Sequence, residues 1–320
     1  MNNKLNFAII GVGGYVAVRH LKAIKNLGHK VVACVDKNDS VGIIDSYFPE
    51  AAFFTEFERF ERHCEKLFFE KSPNKIDVVV VCSPNYLHDA HIRFGLRIDA
   101  DVICEKPIVL NPWNVDLLKD LENKTHKKVY TILQLRYHKT IVDLKKDVDK
   151  KSKEHIYDID LTYVAPRGKW YFYSWKSNIE KSGGVATNIG IHFFDMLTWI
   201  FGAVKNSEVY YRDSKKIIGY LEFERAKVKW FLSLDRNDLP EGNLKNNKPF
   251  RLIVIDGKEL EFSTGFADLH TEVYKKTLNE GNGFRIYDAL PSIKLVSDIR
   301  YKEVVKPTRN NVHPLLNKYL

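Results

Sequence analysis

Two titratable side chains, Lys106 and His192, stand in short motifs rich in residue types that bind ligands. Lys106 lies in Glu105-Lys106-Pro107, directly after an apolar run, and His192 follows Gly183-Gly184 and Asn188. A lysine or a histidine can take a proton in a reaction when its surroundings bring its pKa near neutrality. An alcohol whose hydride passes to a nicotinamide leaves a hydroxyl proton that the protein must accept. We interpret Lys106 and His192 as the catalytic residues of such an oxidation.

Both motifs also have a purely structural interpretation. A lysine at a strand–loop junction is commonly a surface residue, and a histidine near a glycine turn is commonly buried and hydrogen bonded. Against this, the proline biases Lys106 towards an extended backbone, and Gly183-Gly184 permits close approach of a ligand. On a helix, His192 would share one face with Asn188 and Asp195. The two motifs together favour an active site.

A third motif, Gly11-x-Gly13-x-x-Val16, follows a strand-like run and precedes a helix-like one. The first glycine permits a tight turn, the second lets the backbone approach a pyrophosphate, and helix amides then meet the anion. Val16 replaces the usual Gly or Ala, so a glycine turn without ligand is the alternative. Asp36 ends the second predicted strand, where an acid hydrogen-bonds a ribose diol and repels a 2′-phosphate. The sequence therefore predicts NAD rather than NADP.

Further cofactor contacts are predicted where parallel strands end. Ser83-Pro84-Asn85 follows the apolar run Ile76–Cys82 and should face the cofactor, although it could also cap the next helix. His88 and His91 are interpreted as surface or cofactor-adjacent residues rather than metal ligands. The predicted cofactor-binding residues are Gly11, Gly13, Gly14, Tyr15, Val16, Asp36, Ser83, Pro84, Asn85, His88, Glu105, Lys106, Gln134, Trp170 and Tyr171.

Two other segments supply predicted substrate contacts. Gln134, Arg136 and His138 alternate along an expected strand, Val129–Leu135 and its extension, so they would line one face. The segment 167–176 is dense in aromatic and cationic side chains, which could clamp a nucleotide or simply pack on their own domain. The predicted substrate-binding residues are Lys106, Arg136, Arg167, Lys169, Tyr173, Asn188 and His192.

The order of predicted elements indicates two domains. Strands and helices alternate over residues 1–137, which predicts a doubly wound, parallel Rossmann domain. Over residues 138–320 β-like runs follow one another, with one strong helix near Ile191–Ile200 and a closing helix near Ala289–Tyr301. This predicts an α+β domain with a large, mostly antiparallel sheet, whose runs include Phe250–Ile255 and Glu259–Phe262. Residues 46–75 read as an insertion, mostly helical, with no function assigned.

Composition limits the class of protein. The chain has 320 residues, 44% hydrophobic and 28% charged, which is ordinary for a globular protein of two domains. No apolar run of membrane-spanning length and no secretory leader are visible, so we expect a cytoplasmic protein without a membrane partner. The net charge of +9 is spread over helical surfaces mixed with acids, which favours a solvated surface over nucleic-acid binding. The four cysteines read as core residues.

The motifs together resemble the glucose–fructose oxidoreductase/inositol dehydrogenase (Gfo/Idh/MocA) family. Within it the chain is similar to the branch of UDP-N-acetylglucosaminuronate 3-dehydrogenases of bacterial O-antigen synthesis. Many members of the family carry Asp at the position of Asn188. The 3-dehydrogenase branch is similar to this chain at that position. The resemblance extends from about residue 5 to residue 300 and includes residues 13–20, 38–46, 53–58, 83–88, 186–193, 237–241 and 268–271.

The resemblance implies a reaction and partners. The expected activity is oxidation of the sugar 3-hydroxyl of the UDP-uronate by NAD, giving a 3-keto sugar for a transaminase. Lys106 and His192 match the catalytic pair of the family, and which of them removes the proton stays open. Some members regenerate NAD with 2-oxoglutarate and others release it. Members commonly assemble as tetramers through the sheet of the second domain. The alternatives are a dehydrogenase of another sugar or inositol, and a non-catalytic NAD-binding regulator.

Overall fold

The computed structural model describes residues 4–246, 248–260, 268–307 and 312–319. The chain divides into two compact units, residues 1–134 with 267–290 and residues 135–266 with 291–320. The described helices include none that is long and apolar enough to cross a membrane.

The first unit is built on a six-stranded sheet in the order β3-β2-β1-β4-β5-β6, and every pairing is parallel. The sequence of β4 explains this, since four consecutive valines are all buried, as in a strand covered on both faces. The strands are β1 Asn6–Ile10, β2 Lys30–Val35, β3 Ala52–Phe54, β4 Val78–Val81, β5 Asp101–Cys104 and β6 Val129–Thr131. The predicted doubly wound sheet is confirmed.

Helices connect these strands. The strand order reverses between β1 and β4, and ligands of doubly wound sheets bind at such a switch point. The predicted insertion, residues 46–75, contains helix Phe57–Phe69, which confirms its expected helical character, and the edge strand β3, which the sequence analysis missed. The helices are Ala17–Asn26, Ile43–Tyr47, Phe57–Phe69, His88–Arg97 and Trp113–Thr125.

A late segment of the chain returns to this unit. Helix Leu269–Leu278, here called the return helix, packs against helix Ala17–Asn26. Further along, the amide of Thr131 donates to the Phe284 carbonyl at 3.0 Å. The sequence analysis placed residues 267–290 in the second domain. Chain order alone suggested that assignment, whereas the buried Val273 and Tyr274 find their partners in the first unit.

The second unit contains a mixed sheet in the order β12-β11-β7-β10-β9-β8. All pairings are antiparallel except that of β7 with β10. This agrees with the predicted, mostly antiparallel sheet. The strands are β7 Tyr157–Val164, β8 Val204–Arg212, β9 Lys216–Phe223, β10 Ala226–Ser233, β11 Phe250–Ile255 and β12 Lys258–Glu259. The end of the predicted strand Glu259–Phe262 lies outside the described residues.

Side chains of the second sheet alternate between two apolar clusters. Trp230 belongs to the larger cluster and packs edge-on against Phe194 of helix Ile191–Phe201, with ring centroids 5.3 Å apart. The adjacent Phe231 belongs to the other cluster, on the opposite face, with Leu316 of the C-terminal segment. The face expected to be open for assembly is therefore partly covered by the chain itself.

The second unit contains further helices, several of which contribute buried residues to its larger apolar cluster. Helix Ile286–Tyr301, which contains Pro291, begins in the first unit and continues in the second. The other helices are Lys139–Lys150, Lys169–Tyr173, Ile179–Ser182 and Glu241–Leu244, with a π-helical turn at Ala186–Gly190.

Candidate functional site

The glycine turn after β1 is shaped for close backbone approach. Gly11 has a φ of +88°, and a Cβ there would lie 2.8 Å from backbone atoms of Cys82 and Ser83 at the end of β4. The amide of Gly13 donates to Asp36 Oδ2 at 3.0 Å. The turn and the acid at the tip of β2 thus face each other at the switch point of the sheet. Gly14, the exposed Tyr15 and the half-buried Val16 complete the turn.

This cradle fits a dinucleotide. Gly11 lets the turn lie directly against the end of β4, and the half-buried Asp36 carboxylate stands where an acid binds the ribose diol. Gln134 adds an unsatisfied group, because its side-chain oxygen is buried without a hydrogen-bond partner among the described residues. The first unit therefore has both the backbone turn and the polar groups that an NAD site needs.

The turn Ser83–His88 is buried rather than superficial. His88 has no exposed surface, and its Nδ1 and Nε2 lie 2.7 Å and 2.8 Å from the carbonyl oxygens of Pro107 and Ser83. His91 bonds Ser83 Oγ through Nδ1 at 2.8 Å and stacks on Phe57. Of the two alternatives predicted for these histidines, the surface position is wrong, and the position beside the cofactor stays a prediction. Both ring nitrogens of His88 face protein carbonyls, and its predicted cofactor contact stays a prediction.

Lys106 emerges directly after β5, as predicted. It is half-buried, between the buried Glu105 and Pro107. The Glu105 carboxylate is engaged by the protein on both oxygens: Oε1 accepts from His20 and His270, and Oε2 from the amide of Lys106. The cofactor contact predicted for Glu105 stays a prediction. The sequence analysis missed His20 and His270, which no local motif marks.

The expected strand through Gln134, Arg136 and His138 does not form. β6 ends at Thr131, and Gln134–Tyr137 is a 3₁₀ helix. The pairing partner of β6 is β5, which ends at Cys104. Beyond that end Pro107 has no N–H to donate, so β6 has no neighbouring strand along which to continue. The three side chains consequently do not line one face of a strand.

Arg136 forms a buried ion pair within the second unit. Its Nε and Nη2 donate to both carboxylate oxygens of Asp195, at 2.9 Å and 2.7 Å, and both side chains are buried. The planar guanidinium fork matches such a carboxylate in a bidentate pair. This ion pair anchors helix Ile191–Phe201, and the expected substrate contact of Arg136 stays a prediction.

Asn188 and His192 lie at the start of that helix. Gly183 and Gly184 both have positive φ, 81° and 77°, so the chain enters the helix by a turn that favours glycine. Asn188 falls in the π-helical turn, a type of irregularity frequent at functional sites. Its Nδ2 donates to the Tyr171 hydroxyl at 2.7 Å, and His192 is half-buried.

The aromatic segment divides into buried and exposed parts. Tyr171 is 2% exposed and belongs to the core of the second unit, where its hydroxyl accepts from Asn188, and its predicted cofactor contact stays a prediction. Trp170 and Tyr173 are 58% and 90% exposed, and Lys169 is exposed as well. Arg167 is half-buried and donates to the Pro166 carbonyl at 3.3 Å.

A cavity of about 90 Å³ adjoins the glycine turn of the second unit. Gly183, Gly184 and Tyr171 line it. The charged residues of its lining are three cations and one acid, Lys176, Arg212, Arg300 and Asp213, so its net charge is positive. Arg212 donates to the carbonyls of Ile299 and Lys302, and burial lowers its pKa. The sequence analysis missed Arg212 and Arg300 because they are far from any motif along the chain.

Comparison with known proteins agrees with this geometry. The model of an oxidoreductase family with an NAD-binding Rossmann fold matches residues 5–133, and that of the family's C-terminal alpha/beta domain matches residues 154–235. The chain is similar to the WlbA (WbpB) dehydrogenase from Thermus thermophilus in complex with NAD and alpha-ketoglutarate. Identity is 46% over 97% of this chain and 99% of that chain, with a TM-score of 0.93. A second structure of that enzyme, with NAD and UDP-GlcNAcA, matches with a TM-score of 0.92.

Curated relatives are more distant. Glucose-6-phosphate 3-dehydrogenase of Bacillus subtilis is 24% identical over 83% of this chain and 75% of that protein. YteT of Bacillus subtilis is 28% identical over 48% of this chain, and the match spans only 36% of that protein.

Proposed function

This chain belongs to the Gfo/Idh/MocA oxidoreductase family, and on that basis we propose that it oxidises the 3-hydroxyl of UDP-N-acetylglucosaminuronate to a 3-keto sugar with NAD. The observation that carries the proposal is the 46% identity, over nearly the whole of both chains, with a dehydrogenase whose structure holds NAD and UDP-GlcNAcA. The product would enter O-antigen sugar synthesis, where a 3-keto group is the substrate for an aminating enzyme.

The first unit supplies the cofactor site and one of the proposed catalytic residues. The turn at Gly11–Val16 would hold the pyrophosphate, and Asp36 the adenosine ribose. NAD, when bound, supplies the hydride acceptor for the reaction. Lys106 would hold the sugar hydroxyl and take or relay its proton.

The second unit supplies the proposed partner groups. His192 is the other candidate to accept the hydroxyl proton, and Asn188, oriented by Tyr171, would bind the sugar. Arg167, Lys169 and Tyr173 stay predicted substrate contacts. We add the cationic cavity beside Gly183 as a place for an anionic group of the sugar nucleotide, because Lys176, Arg212 and Arg300 line it.

Recycling of the cofactor and assembly are further parts of the proposal. The complex of the Thermus enzyme with alpha-ketoglutarate supports a route in which 2-oxoglutarate reoxidises NADH. We propose a homotetramer because members of the family commonly assemble as tetramers. Light scattering of the purified protein would measure its oligomeric state.

The test is a direct assay of the purified protein with NAD and UDP-N-acetylglucosaminuronate, with and without 2-oxoglutarate. We expect a product that is two hydrogens lighter by mass spectrometry, and either NADH absorbance or 2-hydroxyglutarate. Myo-inositol and glucose 6-phosphate serve as rival substrates. Preferred oxidation of a rival would contradict the sugar-nucleotide assignment. NAD binding without oxidation of any of these alcohols would favour the regulatory alternative.

A further inference from the structure

In the first unit, buried histidine side chains hydrogen-bond to both residues that flank Lys106 in the sequence. On one side Glu105 is 7% exposed, and its Oε1 accepts from His20 Nε2 at 3.1 Å and from His270 Nε2 at 3.0 Å. On the other side the carbonyl of Pro107 meets His88 Nδ1 at 2.7 Å. None of these histidines has a part in the proposed proton transfer, yet all of them converge on the segment that carries Lys106.

The hydrogen bonds around Glu105 determine where the protons lie. An ionised carboxylate only accepts hydrogen bonds, so His20 and His270 must each carry a proton on Nε2. Neutral His20 then has a bare Nδ1, and the Tyr274 hydroxyl donates to it across 2.8 Å. Tyr274 has no exposed surface, so water cannot take its place. The tyrosine thereby fixes the tautomer of His20. In that tautomer the Nε2–H group of His20 donates to Glu105.

Electrostatics agree with this arrangement. Burial acts to raise the pKa of Glu105, but the hydrogen bonds from His20 and His270 outweigh it and hold that pKa well below its ordinary value. Burial lowers the pKa of His20, which keeps the imidazole neutral. A buried carboxylate that accepts several N–H bonds persists as an anion because the donors replace its hydration.

The network joins three segments of the chain. His20 lies on the helix that follows the glycine turn, Glu105 follows β5, and His270 and Tyr274 stand one turn apart on the return helix. We propose that His20, His270 and Tyr274 form a positioning network that holds Glu105 as a buried anion and thereby presents Lys106 to the substrate. The inference rests on the proposed function for the role of Lys106 itself.

A metal centre is the rival interpretation of the same residues. One ligand atom from each of His20, Glu105 and His270 lies within 4.8 Å of the others. A metal ion would need both Nε2 atoms without protons, whereas here each stands at hydrogen-bond distance from the same carboxylate oxygen. Metal analysis of the purified protein separates the two. One bound zinc per chain that is lost in His270→Gln would overturn the positioning network.

Tyr274→Phe is the sharpest kinetic test, because it removes one hydroxyl and keeps a ring that packs near Phe7. We expect kcat to fall roughly tenfold or more, since small misplacements of a catalytic group are costly, while NAD affinity changes less than about twofold. Tyr130→Phe is the matched control, a buried tyrosine of the same unit whose ring stands over Arg285. It should keep full kcat.

A double-mutant cycle shows whether Tyr274 acts through Glu105. Glu105→Gln should lower kcat further than Tyr274→Phe, and the double variant should lose no more than Glu105→Gln alone. Independent losses that multiply, or a Tyr274→Phe enzyme with full kcat, would overturn the proposal and leave a packing role.

A measurement without sugar keeps this inference separate from the proposed function. Nuclear magnetic resonance of labelled protein can follow the Lys106 Cε titration, assigned with Lys106→Met, and the proton positions on His20. We expect the Lys106 titration to move to lower pH in Glu105→Gln, because a neighbouring negative charge is lost, and His20 to be protonated on Nε2. An unchanged titration or a bare Nε2 refutes the network. Failure of wild-type protein to oxidise the UDP-uronate refutes only the proposed function.

Discussion

At the residue scale, the proposed chemistry depends on Lys106 and His192, each half-buried and each at the beginning or end of a regular element. Their neighbours leave them little freedom: Glu105 and Pro107 are buried on either side of Lys106, and Phe193 is buried beside His192. Such settings orient a group for proton transfer, which typically contributes 10²–10⁴ in rate.

Lys106→Met and His192→Asn test these roles separately. We expect each to lower kcat for the UDP-uronate by about 10² or more, because a proton acceptor is lost while the cofactor cradle is untouched. Lys22→Met and His126→Asn are matched controls, since both residues are exposed and asparagine tolerates the left-handed backbone of His126. Steady-state kinetics and NAD titration give the answer. Full activity in either variant would remove that residue from the catalytic pair.

At the element scale, we expect NAD binding to be most sensitive to substitutions in the glycine turn after β1. Gly11→Ala would force a residue with positive φ to carry a Cβ 2.8 Å from the backbone of Cys82 and Ser83. We expect loss of measurable NAD binding and a lower melting temperature.

Gly28→Ala is the control for that change. Gly28 also has a positive φ, 78°, but its Cβ would meet nothing within 4 Å. It should therefore cost only about 1 kcal/mol of backbone strain and leave NAD affinity intact. Calorimetric titration with NAD and thermal denaturation of both variants make the comparison, and equal losses in the two would show that crowding at the turn is unimportant.

The ion pair that anchors helix Ile191–Phe201 provides a second test at this scale. Asp195→Asn leaves the buried Arg136 without a counter-charge, and removing one partner of such a pair costs about 3–5 kcal/mol. Replacing both partners, Arg136→Met with Asp195→Leu, should recover most of the loss. Asp143→Asn, which breaks an exposed pair with Lys139, should leave stability nearly unchanged, because solvent screens exposed ion pairs.

Urea denaturation followed by circular dichroism measures these free energies of unfolding. A single-variant loss no larger than that of the exposed pair would contradict the structural role assigned to Arg136.

At the scale of the whole molecule, buried histidines make stability depend on pH. Burial lowers the pKa of His91 and of His313 to about 4. In the unfolded chain each takes up a proton below about pH 6.5, whereas in the folded protein it does so only near pH 4. Stability is therefore complete above about pH 6.5 and is lost as the pH falls towards 4, by about 3 kcal/mol per histidine.

Urea midpoints measured from pH 7.5 to pH 4.5 test this dependence. His313→Asn should flatten part of the slope, because an asparagine does not titrate and can still cap the segment that begins at Pro314. His126→Asn, at an exposed site, should leave the slope as it is. A wild-type midpoint that stays constant over this range would contradict the buried, neutral state of these histidines.

Much of the molecule follows from local pattern in the sequence. The apolar runs and their alternation with helical segments predict a doubly wound sheet followed by a mostly antiparallel one, and both are observed. The glycine turn, Asp36 and Lys106 lie where the ends of parallel strands must bring them. These features depend on backbone conformation and strand direction, which short stretches of sequence determine. The predicted cytoplasmic location and tetramer stay predictions.

Only the tertiary structure decided which polar side chains pair with one another. Arg136 meets Asp195 across 59 residues, and His20 meets Tyr274 across 254. The return helix belongs to the first unit for the same reason. Its buried residues pack into a core whose other residues lie far earlier in the chain. A hydrogen bond depends on distance in space and not along the chain. The sequence therefore determined the elements and the reactive groups, while the packing of the chain decided which groups remain for a ligand.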